Sequence, residues 1–203
     1  GLGYVGLPLL INLSKLETFK IIGVDQSKRK VDLLKKSISY VDDIKSSEIK
    51  KLKIKPRFSN SIKSLKYADY ILICLPTPIT ETKEPDNSIL NSFIKDLSKI
   101  NLRGKIICLE STIYPGLTEE LFLPLFKRQG LKVGKDVFLG YSPERIDPSN
   151  KKYTIENVPK IVAGYTNKCL QKVNKLYSKI TKTEKASSIK LAEFVKCYEN
   201  VFR

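Results

Sequence analysis

The stretch Gly1-Leu2-Gly3-Tyr4-Val5-Gly6 opens the chain and decides the fold. Its glycines have the spacing G-x-G-x-x-G, in which each glycine has a different task. The first permits a tight turn, the second lets a pyrophosphate approach the backbone, and the third lets a helix pack on a strand. Because the free N–H groups at the start of a helix point at bound phosphates, the motif predicts a phosphate site at a helix N-terminus.

One carboxylate strengthens this interpretation. Asp25 ends the next apolar run, residues 19–25, at the spacing of about 20 residues that dinucleotide-binding domains have. A carboxylate there accepts hydrogen bonds from ribose hydroxyls and repels a 2′-phosphate, which favours NAD over NADP. The alternative is a chance glycine turn followed by an ordinary capping Asp. The two features together make NAD the predicted cofactor.

Strands and helices alternate along the chain. Continuous apolar runs predict strands at residues 19–25, 70–75, 105–109, 137–141 and 160–163. Helical spacing predicts helices at residues 5–16, after a Ser27 cap, near 61–66, after a Ser88 cap, from Thr118, near 167–180 and over 188–203. Residues 37–55 are harder to assign. Apolar strands separated by helices predict an α/β fold, a doubly wound (Rossmann-like) parallel sheet with helices on both faces.

Polar segments directly follow three of the predicted strands, where sheets of this kind bind ligands. These segments are 75–78, 111–112 and 142–145. A plainer alternative treats Pro76-Thr77-Pro78 as a stiff turn and Thr112 as a hydroxyl that leads into a helix.

Composition argues against several functions. The net charge of +16 comes mostly from scattered Lys, whereas a nucleic-acid binder would show a basic stripe or a known module. Without His the chain lacks Ser-His and Cys-His pairs and most zinc-site patterns. No apolar run reaches the ~18 residues of a membrane span. We therefore expect no nucleic-acid partner, no membrane partner and no metal.

The four Cys lie far apart and form no CxxC, as in reduced cytoplasmic proteins. The chain also begins directly at Gly1 and contains no Met. We expect a cytoplasmic protein, and a fragment whose first strand is missing.

Several segments, in order over nearly the whole chain, resemble the UDP-glucose/GDP-mannose dehydrogenase family. They are 1–8 (GLGYVGLP), 23–25 (GVD), 74–78 (CLPTP), 84–86 (EPD), 110–112 (EST), 141–148 (YSPERIDP) and Ala192-Glu193…Lys196…Glu199-Asn200. The YSPERIDP version, followed by Asn150, is most similar to bacterial UDP-N-acetylglucosamine 6-dehydrogenases and their UDP-N-acetylhexosamine relatives. The UDP-glucose branch usually has a second Glu where this chain has Pro148.

The resemblance implies oxidation of the C6 hydroxyl of a UDP-sugar to the uronic acid by two successive hydride transfers to NAD. The intermediate would be a thioester on a Cys beyond residue 203. Residues 1–185 would form the NAD-binding domain, and residues 186–203 would begin a long central helix through which the protein forms a homodimer. Residues 1–203 alone would then be inactive.

The resemblance also implies roles for particular side chains. Pyrophosphate binding falls to Gly1, Gly3, Tyr4, Val5 and Gly6. Asp25 and Lys30 would flank the adenosine ribose, and Thr77 and Thr112 would line the cofactor.

The implied catalytic residues are Glu144, Lys196, Asn200 and Thr112. Glu144 would act in acid/base chemistry and thioester hydrolysis. Lys196 and Asn200, one helical turn apart, would stabilise oxyanionic intermediates. No Cys of this chain lies in the family's nucleophile motif, so we expect Cys197, the neighbour of Lys196, to serve packing.

Three alternatives stay open at this point. The first is another nicotinamide enzyme, such as a hydroxyacid dehydrogenase, which typically uses a catalytic His. The second is a non-catalytic NAD-binding remnant. The third is a related activity on UDP-glucose or UDP-N-acetylmannosamine.

Overall fold

The computed structural model describes residues 1–144 and 158–202. Its helices are α1 (Gly6–Lys15), α2 (Lys28–Lys35), α3 (Ser46–Lys51), α4 (Ser88–Leu97), α5 (Leu117–Arg128), α6 (Asn167–Tyr177) and α7 (Ile189–Val201). Its strands are β1 (Ile22–Val24), β2 (Arg57–Ser59), β3 (Tyr70–Ile73), β4 (Ile106–Leu109), β5 (Phe138–Tyr141), β6 (Lys160–Gly164) and β7 (Thr183–Lys185). A 3₁₀ turn covers Ile62–Tyr67. The motif residues 145–148 and Asn150 lie outside the described part.

The strands form two sheets. β1 and β2 pair in parallel, and the other five follow the order β3-β4-β5-β6-β7. β3, β4 and β5 are mutually parallel, so their carboxyl ends meet at one edge. The predicted α/β fold is confirmed, and β3, β4 and β5 pair in parallel as expected, whereas β6 runs antiparallel to β5. An apolar run does not encode its direction, which depends on the path of the connecting chain.

Both faces of the larger sheet are covered by helices, as expected. All four residues of β4 are buried. Ile107 and Leu109 belong to a core shared with α4, α5 and α7. Ile106 and Cys108 belong to a second core shared with α1 and α6. Because neighbouring side chains of a strand point to opposite faces, one apolar run supplies both cores.

The predicted helix starts are partly confirmed. Ser27 and Ser188 are N-caps that accept hydrogen bonds from the backbone N–H groups three residues later, at 3.4 Å and 3.1 Å. The prediction that Ser88 caps α4 is wrong, because Ser88 is its first residue. Its backbone N–H donates to Asp86 Oδ1 at 2.8 Å. Thr118 lies inside α5, which begins after Gly116.

The strand bounds also differ from the predictions. The run at residues 19–25 forms a strand only at Ile22–Val24, where β2 pairs with it. β2 and β7 were not predicted, and α3 lies in the stretch that was hard to assign. Arg57–Ser59 and Thr183–Lys185 are mostly exposed or half-buried. Short edge strands of this kind carry no apolar run that a pattern can detect.

Helix α7 presents an apolar surface to solvent. Phe194, Tyr198 and Phe202 are more than half exposed, and their rings contact one another with centroids 6.1 Å and 4.7 Å apart. Over residues 1–144 and 158–202, no helix combines the length and the apolar character that crossing a membrane requires.

Candidate cofactor and catalytic site

The glycine loop lies between the carboxyl ends of β1 and β3. The Gly1 nitrogen donates to the Val24 carbonyl oxygen at 3.0 Å. A Cβ added to Gly1 would overlap the carbonyl oxygen of Cys74, and one added to Gly6 would overlap that of Gly1. Any residue other than glycine at these two positions would therefore force the backbone to shift, as the motif predicted.

Gly3 differs from its two neighbours in the motif. A Cβ placed on it would meet no protein atom within 4 Å, so the loop is open on this side, near the N-terminus of α1. Unpaired N–H groups at such a helix start attract an anion. A pyrophosphate fits this place, because Gly3 has no side chain and the empty space lets a phosphate approach the backbone.

Asp25 connects the glycine loop to the start of α2. Its Oδ2 accepts the Leu2 N–H at 2.8 Å, and its Oδ1 accepts the Ser27 N–H at 2.9 Å. Lys30 Nζ lies 3.9 Å from Oδ2. Since a carboxylate has about four acceptor positions, Asp25 keeps capacity for a ribose hydroxyl.

Tyr40 belongs to this side of the site, although its sequence context did not mark it. Its hydroxyl donates to the Leu2 carbonyl oxygen at 2.7 Å, and its ring lies 5.6 Å from Lys30 Nζ. Burial raises the pKa of the Tyr40 hydroxyl, with a further contribution from Asp25. Tyr40 therefore stays a neutral donor that fixes the glycine loop.

The threonines of the two neighbouring strand ends meet. Thr77 Oγ1 donates to the Thr112 carbonyl oxygen at 2.6 Å. Ser111 Oγ donates to the Leu75 carbonyl oxygen, also at 2.6 Å. The two segments form one wall beside the glycine loop, as expected from parallel strands that end at the same edge.

Glu144 follows β5 and contacts a buried charge cluster. Its Oε2 lies 3.5 Å from Lys160 Nζ, which also lies 2.7 Å from Glu110 Oε2. The Tyr177 hydroxyl donates to the other oxygen of Glu110. No role was predicted for Lys160 or Tyr177, although a Lys that opens a buried strand is itself a detectable signal.

The cluster keeps Lys160 charged. Burial by itself lowers the pKa of this ammonium, but the carboxylates of Glu110 and Glu144 outweigh burial and raise it above its ordinary value. A buried cation is tolerated only with such partners.

Helix α7 carries two of the implied catalytic residues. Lys196 is buried, whereas Asn200 is exposed. The helix is fastened by Glu193, whose carboxylate accepts the N–H groups of Gly116 and Thr118 at the start of α5. This contact holds α7 against the segment that follows Thr112.

The four cysteines are buried or half-buried. Burial raises the pKa of the Cys74, Cys108 and Cys197 thiols, so the thiolate needed for nucleophilic attack is disfavoured at all three. Cys197 Sγ lies 3.2 Å from the Ile113 carbonyl oxygen. That Cys197 serves packing and is not the nucleophile stays a prediction.

A glycine loop at the carboxyl edge of parallel strands, followed by an acidic residue after the next strand, defines a dinucleotide-binding α/β domain. The chain belongs to the UDP-glucose/GDP-mannose dehydrogenase family. The sequence profile of that family's NAD binding domain matches residues 1–181. The cofactor is therefore NAD, as predicted.

Individual relatives agree with this assignment. The chain is 38% identical to Protein CapL of Staphylococcus aureus and 36% identical to a UDP-N-acetyl-D-glucosamine 6-dehydrogenase of Pseudomonas aeruginosa. Each match covers the whole chain but only 48% of the relative, so the chain spans about half the length of these curated proteins. A solved UDP-D-ManNAc dehydrogenase from Pyrococcus horikoshii superposes with a TM-score of 0.91 at 27% identity, over 100% of this chain and 49% of the other.

Proposed function

We propose that the protein oxidises the C6 hydroxyl of a UDP-N-acetylhexosamine to the uronic acid. UDP-N-acetylglucosamine is the substrate that we propose first. NAD bound at the glycine loop supplies the hydride acceptor for two successive oxidations. Family membership and the 36% identity to a UDP-N-acetyl-D-glucosamine 6-dehydrogenase support this substrate. The observation that carries the proposal is the meeting of the glycine loop, the Thr77–Thr112 wall and the Glu144–Lys160 pair at one sheet edge.

In this proposal different parts of the site have different roles. The glycine loop with Tyr4 and Val5 binds the pyrophosphate, Asp25 and Lys30 bind the adenosine ribose, and the Thr77–Thr112 wall lines the cofactor. Glu144 acts in acid/base chemistry and in hydrolysis of the thioester. Lys196 and Asn200 stabilise developing negative charge, since a cation and an amide donor act strongly on an oxyanion in a closed site.

The nucleophile is proposed to lie outside residues 1–203. It would be a Cys that binds the sugar first as a thiohemiacetal and then as a thioester. The raised thiol pKa values of Cys74, Cys108 and Cys197 support this, because burial and neighbouring carboxylates outweigh the nearby cations and disfavour the thiolate. We therefore expect residues 1–203 alone to oxidise no sugar.

The test uses the full-length protein with NAD and each UDP-sugar in turn. We expect two NADH per UDP-N-acetylglucosamine and a product that has gained one oxygen and lost two hydrogens at C6. Faster turnover of UDP-N-acetylmannosamine would favour the second candidate, which the likeness to the Pyrococcus protein supports. Binding of NAD without turnover of any UDP-sugar would indicate a non-catalytic NAD-binding protein.

We further propose that residues 1–185 form the NAD-binding domain and that residues 186–203 begin a central helix of a homodimer in the cytoplasm. The exposed rings of Phe194, Tyr198 and Phe202 support the dimer, because a large apolar surface on a helix usually meets a partner.

A further inference from the structure

The Lys160 ammonium connects Glu144 to the buried Glu110. Lys160 opens β6, and its side chain is 4% exposed, against 0% for Glu110 and 14% for Glu144. The pair of Lys160 and Glu110 is therefore shielded from water, whereas Glu144 keeps some exposure and lies in the segment after β5. Lys160 is the link between the two environments.

Among the described residues, three oxygen atoms lie close to Lys160 Nζ. They are Glu110 Oε2 at 2.7 Å, the Pro143 carbonyl oxygen at 3.2 Å and Glu144 Oε2 at 3.5 Å. An ammonium has three N–H donors, so one donor stays available for Glu144 after the first two contacts. The contact with the Pro143 carbonyl also fixes the backbone that carries Glu144.

Glu110 is itself held in place. One of its oxygens accepts from Lys160, and the other accepts from the Tyr177 hydroxyl at the end of α6. Lys160 Nζ additionally lies 5.2 Å from the centre of the Tyr177 ring. The ammonium is therefore held by the segments that follow β4 and β5 and by α6, which leaves it little freedom to move.

We propose that Lys160 is a positioning residue for Glu144, with Glu110 and Tyr177 holding the ammonium that orients the Glu144 carboxylate. This proposal rests on the proposed function, in which Glu144 acts when the thioester is hydrolysed. In that step Glu144 takes a proton from water as the water oxygen bonds to the thioester carbonyl carbon. The C–S bond then breaks, its electron pair stays on the sulfur, and the uronic acid is released.

The experiment compares full-length Lys160→Met with wild type. We expect a normal first burst of NADH followed by steady turnover that is slower by roughly 10²-fold, the loss that a misplaced catalytic group causes. Intact-protein mass spectrometry should detect the accumulated acyl-enzyme. A second variant, Lys160→Met with Glu110→Gln, removes both buried charges and avoids leaving Glu110 without its cation.

The matched control is Lys105→Met. Lys105 is also buried, but its ammonium donates to the carbonyl oxygens of Lys66 and Ala68 at the opposite end of β4. We expect this variant to lose stability without accumulating the acyl-enzyme.

Two results would overturn the role of Lys160 and leave the proposed function in place. One is steady turnover of a folded Lys160 variant within twofold of wild type. The other is equal slowing of the two oxidations and of hydrolysis. Unfolding of both Lys160 variants while Lys105→Met folds would also overturn it, since the role would then be structural. A wild-type protein that forms no NADH with any UDP-sugar would instead overturn the proposed function and, with it, this inference.

Discussion

The hydroxyl of Thr77 donates a 2.6 Å hydrogen bond to the carbonyl oxygen of Thr112, although the two residues are 35 positions apart in the chain. The bond joins the segments that follow β3 and β4. Each segment is a predicted part of the cofactor site, and neither contacts the other through regular strand pairing. The hydrogen bond therefore fixes the distance between the two segments that form the Thr77–Thr112 wall of the proposed NAD site.

Thr77→Val should remove this bond while keeping the shape of the side chain. We expect the free energy of unfolding to fall by about 1 kcal/mol, the usual net value of one hydrogen bond, and NAD binding to weaken. Urea denaturation and NAD titration of the full-length protein measure the two effects. Thr80→Val is the control, because the Thr80 hydroxyl is exposed and pairs with Thr82 outside this wall. Equal NAD affinity in both variants would contradict the prediction.

The glycine loop allows stability and cofactor binding to be separated. Gly3→Ala adds a methyl group where no protein atom lies within 4 Å, so stability should hardly change. The same methyl occupies the space predicted for the pyrophosphate, and we expect the NAD dissociation constant to rise at least about tenfold, or 1.4 kcal/mol.

Gly6→Ala is the matched comparison in the same loop. Its methyl would overlap the backbone carbonyl of Gly1, which should cost about 1–3 kcal/mol of stability by overpacking. Thermal unfolding without NAD distinguishes the two variants. A Gly3→Ala protein that binds NAD as wild type does would place the phosphates elsewhere.

Asp25→Asn tests the preference for NAD over NADP. We expect wild type to prefer NAD at least ~10-fold, or about 1.4 kcal/mol, because the carboxylate repels a 2′-phosphate. The amide keeps an acceptor for the Leu2 N–H but loses the charge, so the preference should shrink. Asp32→Asn is the control, since Asp32 lies on α2, the helix that follows Asp25, and pairs with Lys35 at the surface. Equal kcat/KM for both cofactors in wild type would refute the prediction.

Glu144→Gln tests the chemical role of the carboxylate. We expect the first NADH burst to persist and hydrolysis to slow by roughly 10²–10⁴-fold, the usual contribution of a general base. Rapid-mixing absorbance and intact-protein mass spectrometry would record the burst and the trapped acyl-enzyme. If Glu144 only anchors its loop, stability or substrate affinity would fall with no adduct. Near-normal turnover by the Glu144→Gln variant would contradict the proposed chemical role of Glu144.

The exposed rings on α7 predict the effect of a charge in the proposed dimer contact. Tyr198→Glu in the full-length protein should shift the dimer toward monomer, because an unpaired carboxylate is costly in an apolar interface. Sedimentation or light scattering measures the change. Tyr67→Glu is the control, since Tyr67 is 72% exposed on a different part of the surface. Identical association in both variants and wild type would argue against α7 as the contact.

Local sequence determined the α/β class, the starts of α2 and α7, and the glycine loop. Each of these depends on a short-range rule: apolar runs for buried strands, Ser27 and Ser188 for helix caps, and close backbone approach for Gly1 and Gly6. The same rules failed where a neighbouring strand determines the length or the direction of a strand. Ile22–Val24 is a strand only as far as β2 pairs with it, and β6 runs opposite to the expected direction.

Only the tertiary structure decided which polar groups share the site. Sequence spacing indicated Asp25, Thr77, Thr112 and Glu144 separately, since each follows a strand. It did not indicate that Tyr40 fixes the glycine loop, or that Lys160 joins Glu110 to Glu144 from a position 16 residues beyond Glu144. The buried Lys160 ammonium stays charged only beside its partners. Those partners lie in α6 and in the segments that follow β4 and β5. The ordering of these elements around one ammonium is a property of the folded sheet, because it depends on distances in space that no local pattern records.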